Sequence, residues 1–274
     1  MNITPTREAP TPAVPVITSP SSTPGRRKPI LRPVKVRGIE DLSPRMRRVT
    51  FAGDSLEGFG PPKPGSHIKL FFGELAPDWQ PEPGQPRPTA RTYTPRHFDP
   101  VHRELVVDFV RHGQGVASEW VEQARIGSVL VIAGPGGGQE FPADLRHLVL
   151  LADESALPAA GTILDNLPSH CLVTLFAEVE DAAEQRKPSD RSSTDVRWLP
   201  RCASRAAPGS LLLQAARSLS LPDGAMYWVA CEATAMREIR NVLLNERGID
   251  RTQLVTRGYW KAGASDHPDH DMGE

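Results

Sequence analysis

Six residues at positions 91–96, RTYTPR, combine a flat ring, two hydroxyl groups and two cations in one short segment. The ring of Tyr93 could stack on a planar ligand, and the hydroxyls of Thr92 and Thr94 could form hydrogen bonds with its edge. The guanidinium of Arg91 could pair with a phosphate group. An ordinary strand with solvated arginines would contain the same residues, so this segment alone does not decide its own role.

A second segment with ligand-binding character follows at 107–120, VDFVRHGQGVASEW. Its pattern predicts a strand that runs to His112, two glycines, and a helix that begins near Ala117, with Trp120 in the core. A helix N-terminus offers free backbone N–H groups and the positive end of a dipole, which suits a phosphate, and glycines permit close approach. A surface helix with an N-cap is the alternative. The candidate phosphate-binding residues are His112, Gly113, Gly115, Val116, Ala117 and Ser118.

Three other turns contain residues that are typical of dinucleotide-binding loops, and two of them remain candidates. The segment GPGGG at 134–138 does not fit the Rossmann fingerprint, because Gln139 stands where a third glycine is required and no helix follows. The turns ADESALPA at 152–159 and ACEATAM at 230–236 follow predicted strands, where α/β sheets place ligands. Alternatively, Asp153 or Thr234 only caps the next helix. The candidate nucleotide-binding residues are Asp153, Glu154, Ser155, Cys231 and Glu232.

The elements that must position these residues change in type once along the chain. Short strand-like segments from about 34 to 132, separated by Gly and Pro, predict a small antiparallel barrel. After residue 146 strands and helices alternate, which predicts a parallel sheet with helices on its faces. In this architecture a flavin sits in the crevice and a pyridine nucleotide reaches it from the second domain. The predicted divisions are a tail at 1–28, a barrel at 29–143, an α/β domain at 144–267 and a flexible C-terminal tail at 268–274.

Composition limits the possible classes of protein. A chain of 274 residues with 39% hydrophobic content can form two cores, and a net charge of −1 gives no global attraction to nucleic acid or anionic membranes. The Pro/Thr/Ser-rich tail has no signal-peptide core, and no apolar stretch reaches the roughly 20 residues that a membrane span needs, so we expect a cytoplasmic protein.

The residues that most often bind metals predict no metal site. Cys171, Cys202 and Cys231 form no CxxC pair, which argues against a disulfide framework and against zinc or iron–sulfur ligation. We expect Cys171 and Cys202 to be small buried side chains. His267 and His270 near the C-terminus have no well-spaced third ligand.

Five segments occur together and in order: RTYTPR, HGQGVASEW, ADESALPA, YWVACEATAMREIR and GYWKAG. From about residue 28 to 267 the chain thereby resembles the siderophore-interacting protein family of FAD-dependent ferric-siderophore reductases. The resemblance implies a ferredoxin-reductase-like barrel with non-covalent FAD, NADH or NADPH as electron source, and a ferric siderophore as acceptor. It implies no protein nucleophile or general base. It also points to Lys69, Lys261 and Arg111 as cations near an anionic siderophore, although each could be a solvated surface charge.

The chain departs from the family pattern at three positions. Val116 stands where proline is common, and Gly136 stands where the family has a basic residue, which removes a charge near the siderophore. Cys231 replaces glycine and would add bulk where a nicotinamide ribose approaches. Two other functions on this scaffold stay open: a general NAD(P)H-dependent flavin or quinone reductase, and a non-catalytic flavin-loaded carrier of an iron chelate.

The choice between NADH and NADPH is also open. Glu178 at a strand end would oppose the 2′-phosphate of NADPH, whereas Arg186, Lys187 and Arg191 nearby could accept it.

Overall fold

The structure is a computed structural model that describes residues 30–73, 88–264 and 271–272. The described chain forms a seven-stranded antiparallel sheet followed by a five-stranded parallel sheet, which confirms the predicted fold class. The boundary predicted at 143/144 lies in the connection between the two sheets. The predicted tail at 1–28 lies outside the described residues.

The first sheet has alternating buried and solvent-facing side chains, as a half-buried antiparallel sheet requires. On its first strand Val34 and Val36 are buried, whereas Lys35 and Arg37 are exposed. The strand order is β4-β3-β7-β1-β2-β6-β5. The strands are β1 (Leu31–Ser43), β2 (Met46–Ala52), β3 (Ser66–Phe71), β4 (Ala90–Tyr93), β5 (His97–Asp99), β6 (Glu104–Val110) and β7 (Val129–Gly137).

Aromatic packing brings the two ends of this sheet together. The ring centres of Tyr93 on β4 and Phe109 on β6 lie 4.5 Å apart. Helix α1 (Val116–Gln123) covers the sheet and places Trp120 5.9 Å from Phe109 and 6.0 Å from Phe51. Trp120, predicted to be a core residue, is thus partly buried and packs against the core of the barrel.

The second sheet is buried on both faces, which explains the nearly continuous apolar runs of its central strands. Its strand order is β10-β9-β8-β11-β12, so the chain order reverses between β8 and β11, where such sheets bind ligands. A π-helical turn, Val242–Glu246, continues the last helix. The elements are β8 (His147–Asp153), α2 (Leu157–Asn166), β9 (Leu172–Val179), β10 (Thr194–Pro200), α3 (Ser210–Ser218), β11 (Met226–Glu232), α4 (Ala233–Asn241) and β12 (Leu254–Trp260).

The second arginine of RTYTPR joins the two domains. Arg96 Nη1 donates to Oδ2 of Asp165, a residue of α2, at 2.7 Å. Arg96 Nη2 donates to the carbonyl oxygen of Pro188 at 2.8 Å. Gly161 on α2 leaves space for this contact, because a Cβ there would lie 2.6 Å from the Pro188 oxygen and 3.0 Å from Arg96 Nε. Arg96 is thus a clamp between the barrel and the α/β domain.

Two further sets of hydrogen bonds connect the barrel to the α/β domain. Glu184 is buried and accepts hydrogen bonds from the backbone N–H of Arg45, at 2.9 Å, and from the hydroxyl of Ser43. The backbone N–H of Gly65 donates to Thr162 Oγ1 at 2.9 Å. These hydrogen bonds link two separate segments of the barrel sequence to the α/β domain.

The structure corrects two expectations about single residues. Cys202 is exposed, because it lies in the loop after β10, whereas Cys171 is buried as predicted. Asp271 lies in the segment predicted to be a flexible tail, and its backbone carbonyl oxygen accepts a hydrogen bond from the N–H of Gly258 on β12 at 2.8 Å. The Met272 carbonyl oxygen accepts one from the hydroxyl of Thr256. Residues 271 and 272 thus contact the edge strand of the second sheet.

Within 30–73, 88–264 and 271–272, no helix is long and apolar enough to cross a membrane, and no group of three potential ligands could hold a metal ion. His267 and His270 lie outside the described residues.

Candidate functional site

The pairing of β4 with β3 determines which way the RTYT side chains point. Leu70 pairs with Arg91 and Ile68 pairs with Tyr93, so the arginine and the tyrosine share the face of two buried residues. Burial raises the pKa of the Tyr93 phenol. Thr94, just after the strand, is buried as well.

Thr92 lies on the opposite face of the same strand. Its cross-strand partner is Lys69 on β3, so the two side chains are neighbours on that face. The RTYT side chains therefore lie on two faces of the sheet, whereas the sequence pattern alone suggested a single group.

The glycine-rich turn before α1 is organised by Ser118. Its hydroxyl oxygen accepts from the backbone N–H groups of His112, at 3.3 Å, and Gly113, at 3.1 Å. Gly113 and Gly115 have φ values of 75° and 83°, which favour glycine. A Cβ at either position would have nothing within 4 Å. The glycines thus serve the backbone turn and leave its outer side open to an approaching ligand.

The helix after this turn has no side-chain cap. Gly115 is the N-cap and no side-chain cap hydrogen bond forms, although the first turn carries the positive end of the dipole. Helix α1 begins at Val116, one residue before the predicted start. At this first position proline would lack an N–H, so the departure to valine adds one donor. Uncapped N–H groups, open glycines and the nearby Tyr93 strand fit the phosphate and ring portions of FAD.

In the second domain, Asp153 and Glu232 end the two central strands β8 and β11. Both are buried. Asp153 Oδ1 accepts from the backbone N–H groups of Ser155, at 3.0 Å, and Ala156, at 3.3 Å, at the start of α2. Glu232 Oε2 accepts from the backbone N–H of Thr234, at 2.7 Å, and of the next residue at the start of α4. The carboxylate that caps α4 is therefore that of Glu232, whereas sequence reasoning had considered the Thr234 hydroxyl.

Each of these carboxylates uses its second oxygen to accept a hydrogen bond from the end of β12 or from the turn after it. Asp153 Oδ2 accepts from the indole Nε1–H of Trp260 at 2.8 Å, and Glu232 Oε1 accepts from the backbone N–H of Ala262 at 3.2 Å. Lys261 lies between these two donors and is exposed. The two carboxylates thus position the Lys261 turn, a role that the sequence did not indicate.

Glu178 at the end of β9 does not face a nucleotide. It is fully buried, and its oxygens accept from the backbone N–H groups of Gly209, Leu211 and Leu212 at the start of α3. Arg201 also contacts it at 3.1 Å. The expectation that Glu178 opposes a 2′-phosphate is therefore wrong.

Arg201 is the centre of a buried ion-pair network that sequence reasoning missed. It contacts Glu154 at 2.6 Å and Glu180 at 2.9 Å, in addition to Glu178. These carboxylates raise the pKa of Arg201 against the lowering effect of burial. Glu154, a candidate for nucleotide binding, is thus already bound to a cation of its own domain.

Two basic residues considered for the 2′-phosphate also have structural contacts. Arg191 donates to the backbone carbonyl oxygens of Leu167, Pro168 and Cys171. These residues precede the start of β9, so Arg191 lies at the N-terminal ends of the parallel strands, whereas ligands bind at the C-terminal ends. Arg186 faces Asp108 of the barrel at 3.9 Å, and burial lowers its pKa. Lys187 is exposed.

Cys231 is fully buried between β11 and helices α3 and α4. Burial raises the pKa of its thiol well above the usual value, with further contributions from Asp153, Glu178 and Glu232. Because the side chain lies in the core, the expectation that it adds bulk beside a nicotinamide ribose is wrong.

The three predicted substrate cations have different environments. Arg111 forms a bidentate ion pair with Glu122, at 2.6 and 2.7 Å, and the structure does not group it with Lys69 or Lys261. Its neutralised charge makes it a poor candidate for anion binding. Lys69 lies on β3 and Lys261 follows β12.

Gly136, one of the three departures from the family pattern named above, lies opposite His67. A Cβ at Gly136 would be 3.3 Å from His67 Nε2, and one at Gly137 would be 3.0 Å from the same ring. The imidazole of His67 therefore covers the backbone at this end of β7, and the glycines permit that close approach.

An antiparallel barrel with an open glycine turn before its helix, followed by a parallel sheet whose strand order reverses between β8 and β11, is the fold of ferredoxin-reductase-like flavoproteins. The ferredoxin reductase of carbazole 1,9a-dioxygenase has this fold, with a TM-score of 0.61 at 17% identity over 82% of this chain and 68% of that chain. Residues 35–139 match the siderophore-interacting FAD-binding domain, and residues 145–263 match the siderophore-interacting protein model. The chain belongs to the siderophore-interacting protein family.

Characterised relatives cover most of the chain. Ferric vibriobactin reductase of Vibrio cholerae is 33% identical over 84% of this chain and 89% of its own length. The NADPH-dependent ferric-chelate reductase of Escherichia coli is 29% identical over 84% and 93%. The crystal structure of a siderophore utilization protein from T. fusca has a TM-score of 0.79 at 35% identity, over 88% of this chain and 96% of that one.

Proposed function

We propose that this protein is an FAD-dependent reductase that passes electrons from NADH or NADPH to the ferric ion of a siderophore. The observation that supports this most is the pair of features on one barrel: the RTYT strand and the uncapped N-terminus of α1. Phe109 connects them, because its ring lies 4.5 Å from that of Tyr93 and 5.9 Å from that of Trp120. These features belong to a domain that matches a siderophore-interacting FAD-binding family.

The barrel residues would bind and orient the cofactor. The Tyr93 ring gives a rigid platform for a planar ring system, and Thr92 and Thr94 offer hydroxyls for its edge. Arg91 and the first N–H groups of α1 would hold the pyrophosphate. FAD, when bound, accepts two electrons from a reduced nicotinamide and passes them singly to iron, so the protein needs no nucleophile of its own.

The α/β domain would bind the nicotinamide nucleotide at the crevice between β8 and β11. The turn that begins at Glu154 and the start of α4 at Ala233 border this crevice, while Asp153 and Glu232 stabilise both from within. The Arg96 clamp then fixes the orientation of the crevice relative to the barrel, which hydride transfer requires.

The proposed acceptor is an anionic iron chelate. Siderophores bind Fe(III) through hard oxygen donors, and Fe(II) is a poorer match for them, so reduction loosens the complex. The exposed Lys261 and the β3 residue Lys69 are the candidate cations for the chelate. Because the proposed electron donor is a nucleotide of cell metabolism, we expect the reaction to take place in the cytoplasm.

Anaerobic sequential mixing tests this function against its alternatives. The protein with FAD bound should lose its yellow absorbance on addition of NADH or NADPH, and regain it on addition of a ferric siderophore. Reoxidation by quinones but by no ferric chelate would indicate a general reductase. An unchanged flavin spectrum with both nucleotides would indicate a carrier.

A further inference from the structure

Asp153 contacts two different parts of the α/β domain through its two oxygens. Oδ1 accepts from Ser155 Oγ at 2.6 Å, and from two backbone N–H groups at the start of α2. Oδ2 accepts from Trp260 Nε1 at 2.8 Å. The carboxylate therefore connects a turn beside the nucleotide crevice to the turn that carries Lys261.

The chemistry of the indole makes this connection sensitive to protonation. The Nε1–H of Trp260 is a donor only, so it needs an acceptor lone pair on Oδ2. A proton on Oδ1 would disturb three hydrogen bonds, whereas a proton on Oδ2 would disturb one. Protonation of Asp153 should therefore occur at Oδ2 and displace the indole.

The groups around Asp153 make this protonation accessible. Burial, more than any other cause, raises the pKa of Asp153 to about 7, with a further contribution from Glu154 and a smaller one from Glu178. The hydrogen bonds from Ser155 and Trp260 act in the opposite direction. Other ionisable groups that face Asp153 or its neighbours are Glu232 and Cys231 on β11, Tyr259 on β12, and Arg201, which forms ion pairs with Glu154 and Glu178.

We propose that Asp153 is a positioning residue: its ionised carboxylate holds Trp260, and with it the Lys261 turn, in the geometry that binds an anionic chelate, and its protonation releases that turn. The role of the Lys261 turn in binding a chelate rests on the proposed function. The control of that turn by the hydrogen bond between Asp153 and Trp260 does not rest on it, so the two parts are tested separately. The second contact, from Ala262 to Glu232, limits how far the released turn can move.

The first test measures the hydrogen bond directly on the full chain with FAD bound. The indole Nε1–H resonance of Trp260 is assigned in a ¹⁵N–¹H spectrum as the signal that disappears in Trp260→Phe. We expect it to titrate with a midpoint near pH 7. In Asp153→Asn the amide oxygen keeps the α2 contacts and its NH₂ group faces the indole, so the titration should disappear. A wild-type signal that does not move between about pH 5.5 and 8.5, or that moves equally in Asp153→Asn, overturns the proposal.

The second test measures chelate binding without redox chemistry. The probes are the anionic tris-catecholate complex of gallium(III) and a neutral tris-hydroxamate complex, titrated at pH 8 and pH 6. Trp260→Phe keeps the ring and removes the donor, and should weaken binding of the anionic complex about three- to tenfold at pH 8. The ratio of variant to wild-type Kd should approach one at pH 6, where the wild-type contact is already released. This ratio cancels protonation of the chelate itself.

A matched control separates positioning from a general structural effect. Trp198→Phe makes the same chemical change on β10 and should leave the Kd ratio near one at both pH values. A Trp260→Phe ratio that is the same at pH 8 and pH 6 contradicts the proposal. If neither gallium complex binds wild-type protein, the chelate part of the proposal is wrong, while the resonance experiment still decides whether Asp153 controls the turn.

Discussion

Replacement of Arg96 by methionine removes the guanidinium that joins the two domains and keeps most of the apolar stem. The variant loses the hydrogen bonds to Asp165 Oδ2, at 2.7 Å, and to the Pro188 carbonyl oxygen, at 2.8 Å. The Arg96 side chain is only 17% exposed, so water replaces these contacts incompletely. A hydrogen bond to a charged group contributes about 1.5–3 kcal/mol, and one between neutral partners about 1 kcal/mol. Because Asp165 is 38% exposed and regains water, we expect a net loss of about 2 kcal/mol.

The loss should appear in two measurements. The flavin-release midpoint in a thermal scan should fall by several degrees, because about 1 kcal/mol corresponds to roughly 2–4 °C in a chain of this size. Reduction of bound flavin by NADH or NADPH should slow by about tenfold or more, since a small misplacement of the nucleotide relative to the flavin is costly. The FAD content of the purified variant should stay unchanged, because Arg96 faces the other domain.

Arg103→Met is the matched control. Arg103 forms ion pairs with Asp54 and Glu57, whose side chains are 97% and 77% exposed, and each such exposed pair contributes less than about 1 kcal/mol. The control should keep the wild-type rate of flavin reduction. Equal rates in Arg96→Met and wild type would refute the argument that this clamp orients the domains. An equal decrease in both variants would point to loss of positive charge as the cause.

Three further predictions concern single residues of the candidate site. Arg91→Ala should weaken FAD binding by about 10- to 100-fold, because it removes a charged donor to the pyrophosphate, and unchanged affinity in a flavin titration would remove Arg91 from the site. Burial raises the pKa of Asp153 from its ordinary value of 3.8 to about 7, so this group lowers wild-type stability as pH rises between these values, by at most about 1.4 kcal/mol per pH unit. The stability of Asp153→Asn relative to wild type should therefore increase from pH 4 to pH 7 in urea unfolding, and a constant difference would contradict the shifted pKa. Lys261→Glu should raise KM for an anionic ferric siderophore, less so at high salt, and leave a neutral chelate unaffected; equal effects on both would make Lys261 an ordinary surface lysine.

Local sequence patterns were sufficient for the fold and for the glycine turn before α1. The alternation in β1 and the continuous apolar run of β8 each follow from which faces are buried. The helix after the glycines was placed to within one residue of Val116, because glycine and the helix start are local signals.

The pairing of charged side chains could not be predicted in the same way. Glu178 caps α3, and Arg111 pairs with Glu122, so neither charge is available in the way that its type and position suggested. Arg96 belongs to the segment RTYTPR, but sequence reasoning gave it no role of its own: β4 ends at Tyr93, and the chain then turns toward α2, where Arg96 contacts Asp165. These contacts join residues that are far apart in sequence, and no periodic pattern of hydrophobic residues indicates which of them will pair.

The central claim, that electrons pass from a nicotinamide through bound FAD to chelated iron, is tested most directly by counting electrons in a single turnover. Protein with FAD is reduced anaerobically by a limiting amount of NADH or NADPH, freed of nucleotide, and mixed with an anionic ferric siderophore in the presence of a chromogenic Fe(II) chelator. We predict that about two Fe(II) ions are captured per flavin reoxidised, because the flavin carries two electrons and each ferric ion accepts one. A flavin that stays reduced in the presence of the ferric siderophore, or that is reoxidised without release of Fe(II), would contradict the claim.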